Sequence, residues 1–303
     1  MSLLRPRALR KGDLLGVCAP SGPVDEDRLR SGITLLERLG YRVQAGDDLL
    51  SRVRLNAGSV ERRVGELHRL VADEAVGAIF CARGGAGAGW LLPHLDPALF
   101  RAHPKIFLGY SDATFIHLFL DRLRIPSFYG PMVSVDFPDV LFHPDSLWGA
   151  LEGDSRHRTE LLSLRSGVAE GTLRGGCLSI LASAAGTPHA LEPRPGTILF
   201  LEDVDEPPYQ VDRMLYQLRE SGVFASVSGI VFGEMKGCGV RPGEAYTLRD
   251  VVLEALCGLD VPIAWGLPSG HTSGPTTTLP LGVRARLTCG ESAVFEVLED
   301  AVA

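Results

Sequence analysis

Paired cysteines are missing from this sequence. Its six cysteines, Cys18, Cys81, Cys177, Cys238, Cys257 and Cys289, stand singly, and no C-x-x-C occurs. That spacing argues against zinc and dithiol motifs. Most have apolar neighbours and read as reduced core thiols in a reducing compartment. No apolar run approaches the roughly 20 residues that span a bilayer. Residues 1–16 carry basic side chains but no continuous apolar stretch, so no secretory signal is expected. An excess of positive charge is also lacking, since 30 Lys and Arg face 37 Asp and Glu for a net charge of −7. This balance argues against nucleic acid or an anionic membrane as partner. Internal repeats and low-complexity segments are absent. The expectation is a soluble cytoplasmic protein without metal or cofactor.

What is present is a chain of 303 residues, 45% hydrophobic, enough for about two globular domains of roughly 100–200 residues. Residues 13–19 read as a buried strand stopped by Pro20-Ser21-Gly22-Pro23, and Asp25 as the cap of a helix reaching about residue 39. A short strand at 41–45 precedes a helix at 60–73 with Val64, Leu67, Leu70 and Val71 at helical spacing. Strands at 76–81 and 106–108 follow. This alternation implies a mostly parallel sheet with helices on both faces. From about 137 to 166 the periodicity fades, and Pro, Asp, Arg and Ser accumulate. The chain therefore divides into an N-terminal α/β domain over 1–150, a connection over 151–170 and a C-terminal α/β domain over 171–303. The second domain alternates strands at 172–174, 197–201 and 229–232 with helices from 178, at 209–221 and at 248–256. Residues 284–288 and 294–297 read as closing antiparallel strands.

Chemistry concentrates at a few points. Lys105-Ile106-Phe107-Leu108-Gly109-Tyr110-Ser111-Asp112-Ala113 runs from a buried strand through a tight turn into a helix. A serine there projects its hydroxyl from the sheet above unpaired helix N–H groups, the geometry of a nucleophile elbow. The outer residues Gly109 and Ala113 depart from a full G-x-S-x-G, and serine is also a favoured helix N-cap, so both readings stand. Glu202 ends an apolar strand, where functional groups of parallel sheets gather. Within Glu202-Asp203-Val204-Asp205-Glu206, Asp205 and Glu206 suit a solvated loop and a negative helix start. His271 lies in Gly266-Leu267-Pro268-Ser269-Gly270-His271-Thr272-Ser273-Gly274-Pro275, a stretch too rich in glycine and proline for a regular element. It reads as a functional or a surface histidine, not as core filling. His68, His94, His103 and His117 are weaker candidates. Gly84-Gly85, after Arg83, lets backbone N–H groups turn toward a ligand. With the Asp112 amide they suit an oxyanion hole. The segment Arg83 to Gly89 matches neither a dinucleotide nor a Walker phosphate motif.

Taken together, the sequence resembles the LD-carboxypeptidase family of serine peptidases, which includes murein tetrapeptide carboxypeptidases and microcin C immunity peptidases. The resemblance spans nearly the whole chain. It rests on Gly12-Asp13 with Ala19-Pro20-Ser21-Gly22, Ala82-Arg83-Gly84-Gly85, Gly109-Tyr110-Ser111-Asp112 and Leu201-Glu202-Asp203 with Glu206-Pro207-Pro208-Tyr209. Asp212-Arg213 and Gly270-His271 before Leu279-Pro280-Leu281-Gly282 complete it. It implies a flavodoxin-like N-terminal domain, a smaller α/β C-terminal domain and an active site in the cleft between them. It implies a triad of Ser111, Glu202 and His271, with the Gly85 and Asp112 amides as oxyanion donors, a small peptide substrate and a homodimer. Ser111 would attack the amide, His271 would carry the proton and Glu202 would orient the imidazole. The implied reaction is hydrolysis of the bond to a terminal D-amino acid in a murein-derived tetrapeptide. The alternatives are a microcin-immunity-type peptidase acting on aminoacyl- or peptidyl-nucleotides and a non-catalytic peptide-binding relative. Three departures bear on substrate choice. Ala86 stands where relatives commonly have Tyr, Trp90 where they have Arg, and Cys177 where many have Asn. Arg83, Gly84, Ala86 and Trp90 are the expected substrate-binding positions. Arg83 suits either a substrate carboxylate or a structural ion pair.

Overall fold

The computed structural model describes residues 3–303. The chain forms two units. The first runs to Ser155 and adds Pro275–Gly282 and Asp300–Ala303; the second comprises Arg156–Gly274 and Val283–Glu299.

The first unit alternates β1 (Leu14–Cys18), α1 (Glu26–Arg38), β2 (Arg42–Ala45), α2 (Val60–Ala72), β3 (Val76–Cys81) and α3 (Pro97–Ala102). It continues with β4 (Ile106–Gly109), α4 (Thr114–Arg122), β5 (Ser127–Tyr129) and α5 (Pro144–Glu152). The sheet runs β2-β1-β3-β4-β5 with all neighbours parallel, and a late strand, Leu279–Leu281, lies antiparallel along β5. This is the flavodoxin-like order, whose direction reverses between β1 and β3 and whose ligand-handling loops lie at the strands' carboxyl ends. Every residue of β4 is buried, because a parallel sheet covered on both faces needs continuous apolar strands. At the edge, β2 alternates exposed and half-buried residues.

Caps fix the helix starts. The Asp25 carboxylate accepts the Arg28 N–H at 2.9 Å, and Ser59 Oγ accepts the Arg62 N–H at 3.2 Å, each satisfying a first-turn donor. The inner face of α2 departs from its apolar periodicity. Leu67, Leu70 and Val71 are buried as their spacing predicts, but so are Arg63 and Glu66, whereas Val64 is half-buried. Glu66 pairs with Arg62 at 2.6 Å and accepts the Ala19 N–H at 2.8 Å. These bonds compensate a buried carboxylate at the end of β1.

The second unit contains β6 (Arg158–Arg165), β7 (Gly167–Cys177), α6 (Leu178–Ala184), β8 (Thr197–Glu202), α7 (Pro208–Glu220) and β9 (Val227–Gly233). Then come α8 (Leu248–Ala255), β10 (Ile263–Leu267), β11, which is the Leu279–Leu281 strand of the first unit, β12 (Arg284–Cys289) and β13 (Ala293–Val297). Its strands close into a barrel, β10-β6-β13-β12-β7-β8-β9. Strands β7 to β10 run parallel, and the remaining pairs are antiparallel. Parallel β8 is buried throughout, while β13 buries only alternate residues, the pattern of an antiparallel strand with one wet face.

The expected connection over 151–170 instead carries the end of α5, all of β6 and the start of β7. Strand β6 points charged side chains outward (Arg158 and Glu160 are exposed), so its composition mimics a linker. The second unit begins at Arg156 rather than at 171 and yields Pro275–Gly282 to the first. Closure of the barrel has no signature in the sequence, because each strand records its own pattern and not its neighbours. Among the described residues no helix is long and apolar enough to cross a membrane.

Candidate active site

In the first unit, Ser111 follows β4 directly and holds φ at +64°. A left-handed serine is a strained backbone that persists only when its surroundings impose it. Here they do. The Ser111 N–H donates to Tyr129 Oη at 3.2 Å. A Cβ on Gly109 would lie 2.8 Å from Cys81 Sγ and 3.3 Å from the Ala113 Cβ. The turn therefore needs small residues at both outer positions, which accounts for Gly109 and Ala113. Ser111 opens a short 3-10 turn, Ser111–Ala113, and the N-cap of α4 is Ala113, without a side-chain bond. Ser111 is thus an elbow residue and not the helix cap.

Beneath the elbow, His117 is fully buried. Its Nε2 lies 2.8 Å from the Gly109 carbonyl and its Nδ1 2.8 Å from Ser127 Oγ. The carbonyl can only accept, so Nε2 carries the proton and Nδ1 accepts from Ser127. Burial pushes the His117 pKa down to about 4, against the pull of the Gly109 carbonyl. This histidine supports β4 and is committed there.

The glycine loop after β3 packs onto the elbow. A Cβ on Gly84 would stand 2.9 Å from the Ser111 Cβ and 3.0 Å from its Oγ. Gly85 holds φ at +121°, and a Cβ there would press on Gly22 at 3.1 Å. Arg83 donates to the Gly84 carbonyl and to the Pro23 carbonyl, each at 3.2 Å. It ties the β1 and β3 loops through backbone carbonyls. Ala86 is exposed, and its carbonyl accepts from Asn56 Nδ2 at 2.7 Å. Trp90 is 74% exposed on the 3-10 turn Ala88–His94. Asp112 is buried, and its Oδ2 accepts the Ala88 N–H at 2.8 Å.

The second unit brings Glu202 and His271 together. Glu202, the last residue of β8, is 0% exposed. Its carboxylate accepts the His271 N–H at 2.9 Å and faces His271 Nδ1 at 3.0 and 3.3 Å. An acceptor-only carboxylate fixes the proton on Nδ1 and leaves Nε2, on the far side of the ring, as the basic nitrogen. Two glycines make the approach possible. A Cβ on Gly233 would lie 2.5 Å from the Glu202 Cβ, and one on Gly270, at φ +84°, would meet the Glu202 carboxylate oxygens at 2.6 and 2.8 Å. That close approach explains why glycine precedes His271.

Loops after β8, β9 and β10 brace this pair. Lys236 Nζ donates to the Thr272 carbonyl at 3.1 Å, and the Ser273 N–H donates to Glu234 at 2.8 Å. The buried Asp203 accepts the Ser179 and Val204 N–H groups at 2.7 and 2.9 Å. Burial raises its pKa, those bonds lower it, and neighbouring Glu202 raises it further. Cys177 pairs with Glu202 across β7 and β8. Burial and the charges of Glu202 and Asp203 push its thiol well up, away from thiolate chemistry. Among the described residues no group of three or more His, Cys, Asp or Glu is placed to hold a metal ion.

The two halves can thus supply a strained serine beside backbone donors, and an oriented imidazole on a buried carboxylate. These are the parts of nucleophilic acyl transfer. Tyr129, Asn56 and Arg63 were not foreseen. Their partners are main-chain atoms, which leave no mark on side-chain spacing.

Comparison with known proteins finds relatives along both units. The LD-carboxypeptidase N-terminal domain matches residues 15–130 and the LD-carboxypeptidase C-terminal domain residues 170–287. The probable murein peptide carboxypeptidase of Bacillus subtilis (strain 168) is 37% identical over 302 residues, covering 96% of this chain and 94% of that protein. The murein tetrapeptide carboxypeptidase of Pseudomonas aeruginosa is 33% identical over 269 residues, covering 85% and 87%. The structure of MccF in complex with glutamyl sulfamoyl guanosine matches with a TM-score of 0.88 at 26% identity, covering 99% of this chain and 100% of that one. The parallel first sheet, the helices around it and the similarity along both units lead to one assignment: this chain belongs to the LD-carboxypeptidase family of peptidases.

Proposed function

We propose that this protein is a serine-type carboxypeptidase that hydrolyses the bond from an L-centre to the terminal D-amino acid of a murein-derived tetrapeptide. The observation that carries the reading is the Glu202–His271 pair. A buried carboxylate holding both Nδ1 and the backbone N–H of one histidine sets the ring's tautomer and its direction. Ser111 Oγ attacks the amide carbonyl carbon while His271 Nε2 takes the hydroxyl proton. The carbonyl oxygen becomes an oxyanion received by the Gly85 and Asp112 N–H groups. Collapse breaks the C–N bond, and His271 gives its proton to the departing amine of the D-amino acid. A water, deprotonated by His271, then attacks the acyl carbon; the ester C–O bond breaks, His271 returns the proton to Ser111 Oγ, and the shortened peptide leaves with a free carboxylate. The reaction requires His271 Nε2 to reach Ser111 Oγ in the working enzyme. The setting that suits this substrate is cytoplasmic recycling of peptidoglycan by a homodimer.

One observation favours a second substrate class. Trp90 is 74% exposed, two residues from the Ala88 amide that binds Asp112. A flat ring there suits stacking on a nucleobase, as an aminoacyl-nucleotide would offer.

The deciding experiment incubates the protein with L-Ala-γ-D-Glu-meso-diaminopimelate-D-Ala and follows products by mass spectrometry, beside Ser111→Ala. Release of D-Ala by wild type alone is the expected outcome. Cleavage of an aminoacyl sulfamoyl adenosine without D-Ala release moves the assignment to the second class. Turnover of neither substrate leaves the peptide-binding reading, and undiminished turnover by Ser111→Ala removes the nucleophile.

A further inference from the structure

An oxyanion hole made of two amides works only if their separation is set before the charge appears. The proposed donors sit on different loops, Gly85 after β3 and Asp112 after β4. Something must hold the loops in register, and the Asp112 side chain spans them. Its Oδ2 accepts the Ala88 N–H at 2.8 Å with the residue 2% exposed. Arg63, 1% exposed, reaches the same loop from α2. Its Nη1 donates to the Gly87 carbonyl at 2.9 Å and to the Pro20 carbonyl at 2.7 Å, and its Nε to the Ser59 carbonyl at 3.3 Å. Asn56 holds the Ala86 carbonyl at 2.7 Å, and the Gly22 N–H holds the Gly84 carbonyl at 3.1 Å. Gly84, Ala86, Gly87 and Ala88 are each anchored, and Gly85 lies between them. Gly87 holds φ at +110°, and a Cβ there would lie 2.9 Å from Arg63 Nη1, so glycine is needed where the guanidinium approaches.

A buried carboxylate is a costly tether. Burial pushes the Asp112 carboxyl up, and the Ser21 hydroxyl, the Ala88 amide, the Arg63 charge and the Gly87 amide pull it back. A neutral side chain would hold the fold more cheaply. The same residue, however, carries the amide that faces the oxyanion, so tying its side chain to the opposite loop couples both donors through one rigid link.

We propose that the Asp112 side chain, supported by Arg63, is a positioning residue that sets the distance between the two oxyanion donors. The inference rests on Ser111 being the nucleophile, and the test separates the two claims. A fluorophosphonate probe, which phosphonylates an activated serine with loss of fluoride, reports nucleophile and oxyanion hole without depending on the peptide. Its labelling rate and the kcat and KM for the tetrapeptide are measured for wild type, Ser111→Ala, Asp112→Ala and Asp112→Asn. Thermal unfolding verifies the fold of each. Asp112→Ala is expected to lower kcat and the labelling rate together by about 100-fold, the scale of one lost oxyanion donor, with KM within threefold. Asp112→Asn, whose Oδ1 can still accept the Ala88 N–H, is expected to recover at least tenfold over the alanine. A folded Asp112→Ala with kcat and labelling within threefold of wild type overturns the positioning role and leaves the nucleophile standing. Labelling that persists in Ser111→Ala overturns both. If Asp112→Ala does not fold, Arg63→Met, which removes the Nη1 donor that the Pro20 and Gly87 carbonyls share, takes its place. A kcat reduced about tenfold at constant KM supports the link, and an unchanged kcat overturns it.

Discussion

The two units build their halves of the proposed site from different material. The first works with backbone. Its serine is held at positive φ, its donors are main-chain amides, and glycines make the contacts, with Gly84 packed against Ser111. The second works with side chains, a buried carboxylate against an imidazole, and its glycines only clear space for them. The sheets explain the contrast. A parallel sheet aims loop amides from its carboxyl ends, so the first unit presents dipoles toward the proposed site and keeps its buried charges, Asp112 and Arg63, behind them as braces between loops. Strand β8 delivers one acidic side chain into a fully covered position, which is tolerable only with strong partners. The first half should therefore fail when volume changes and the second when charge changes.

The largest effect is expected from Glu202→Gln. Volume is nearly conserved, but the amide brings no charge to stabilise an imidazolium, and its NH2 would turn a donor toward Nδ1–H from the place of the second oxygen. Loss of the orienting carboxylate in a Ser-His-Asp site costs about 10⁴-fold in kcat, and a fall of that order is expected, with little change in KM. Steady-state kinetics would break the comparison if the loss stayed below tenfold, since the second half would then not act through charge.

Gly84→Ala probes the other half. It adds one methyl and no charge, yet places a Cβ 2.9 Å from the Ser111 Cβ. Either the serine or the loop must move, and a displacement near 1 Å costs about 100-fold in rate. The expected outcome is that loss in kcat with thermal unfolding within a few degrees of wild type. Activity within threefold of wild type would show that the elbow yields, and the distinction between volume and charge would lapse.

These halves were not equally legible. Gly109-Tyr110-Ser111-Asp112 compresses strand end, nucleophile and oxyanion amide into adjacent residues, so the elbow can be read locally. Glu202 and His271 are 69 positions apart, and nothing local joins them. Their pairing came from the family resemblance, and the structure supplies the bond. The buried Arg63 hid among the several charged residues of α2, because a guanidinium that serves backbone carbonyls has no partner in the side-chain pattern. Strand β6 hid for a related reason: a strand with one wet face shares its composition with a loop.

Two histidines sharpen the comparison further and carry its smallest effect. His271 rests on a carboxylate, which would stabilise the imidazolium of the proposed proton transfer. His117 rests on a carbonyl and a hydroxyl inside the first unit, and burial lowers its pKa to about 4. Free histidine titrates near 6.5, so between those values the unfolded chain binds a proton that the folded one refuses. Stability contributed by His117 is complete above about pH 6.5 and is lost as pH falls toward 4, at about 1.4 kcal/mol per unit for one proton. His117→Gln removes that proton uptake. Its amide can still donate to the Gly109 carbonyl, so kcat at pH 7.5 should stay within about threefold. Chemical denaturation from pH 4 to 7 should show a slope of stability against pH shallower by close to one proton in the variant. An unchanged slope would mean that His117 is protonated in the folded state, and the support beneath the elbow would then be a charged one.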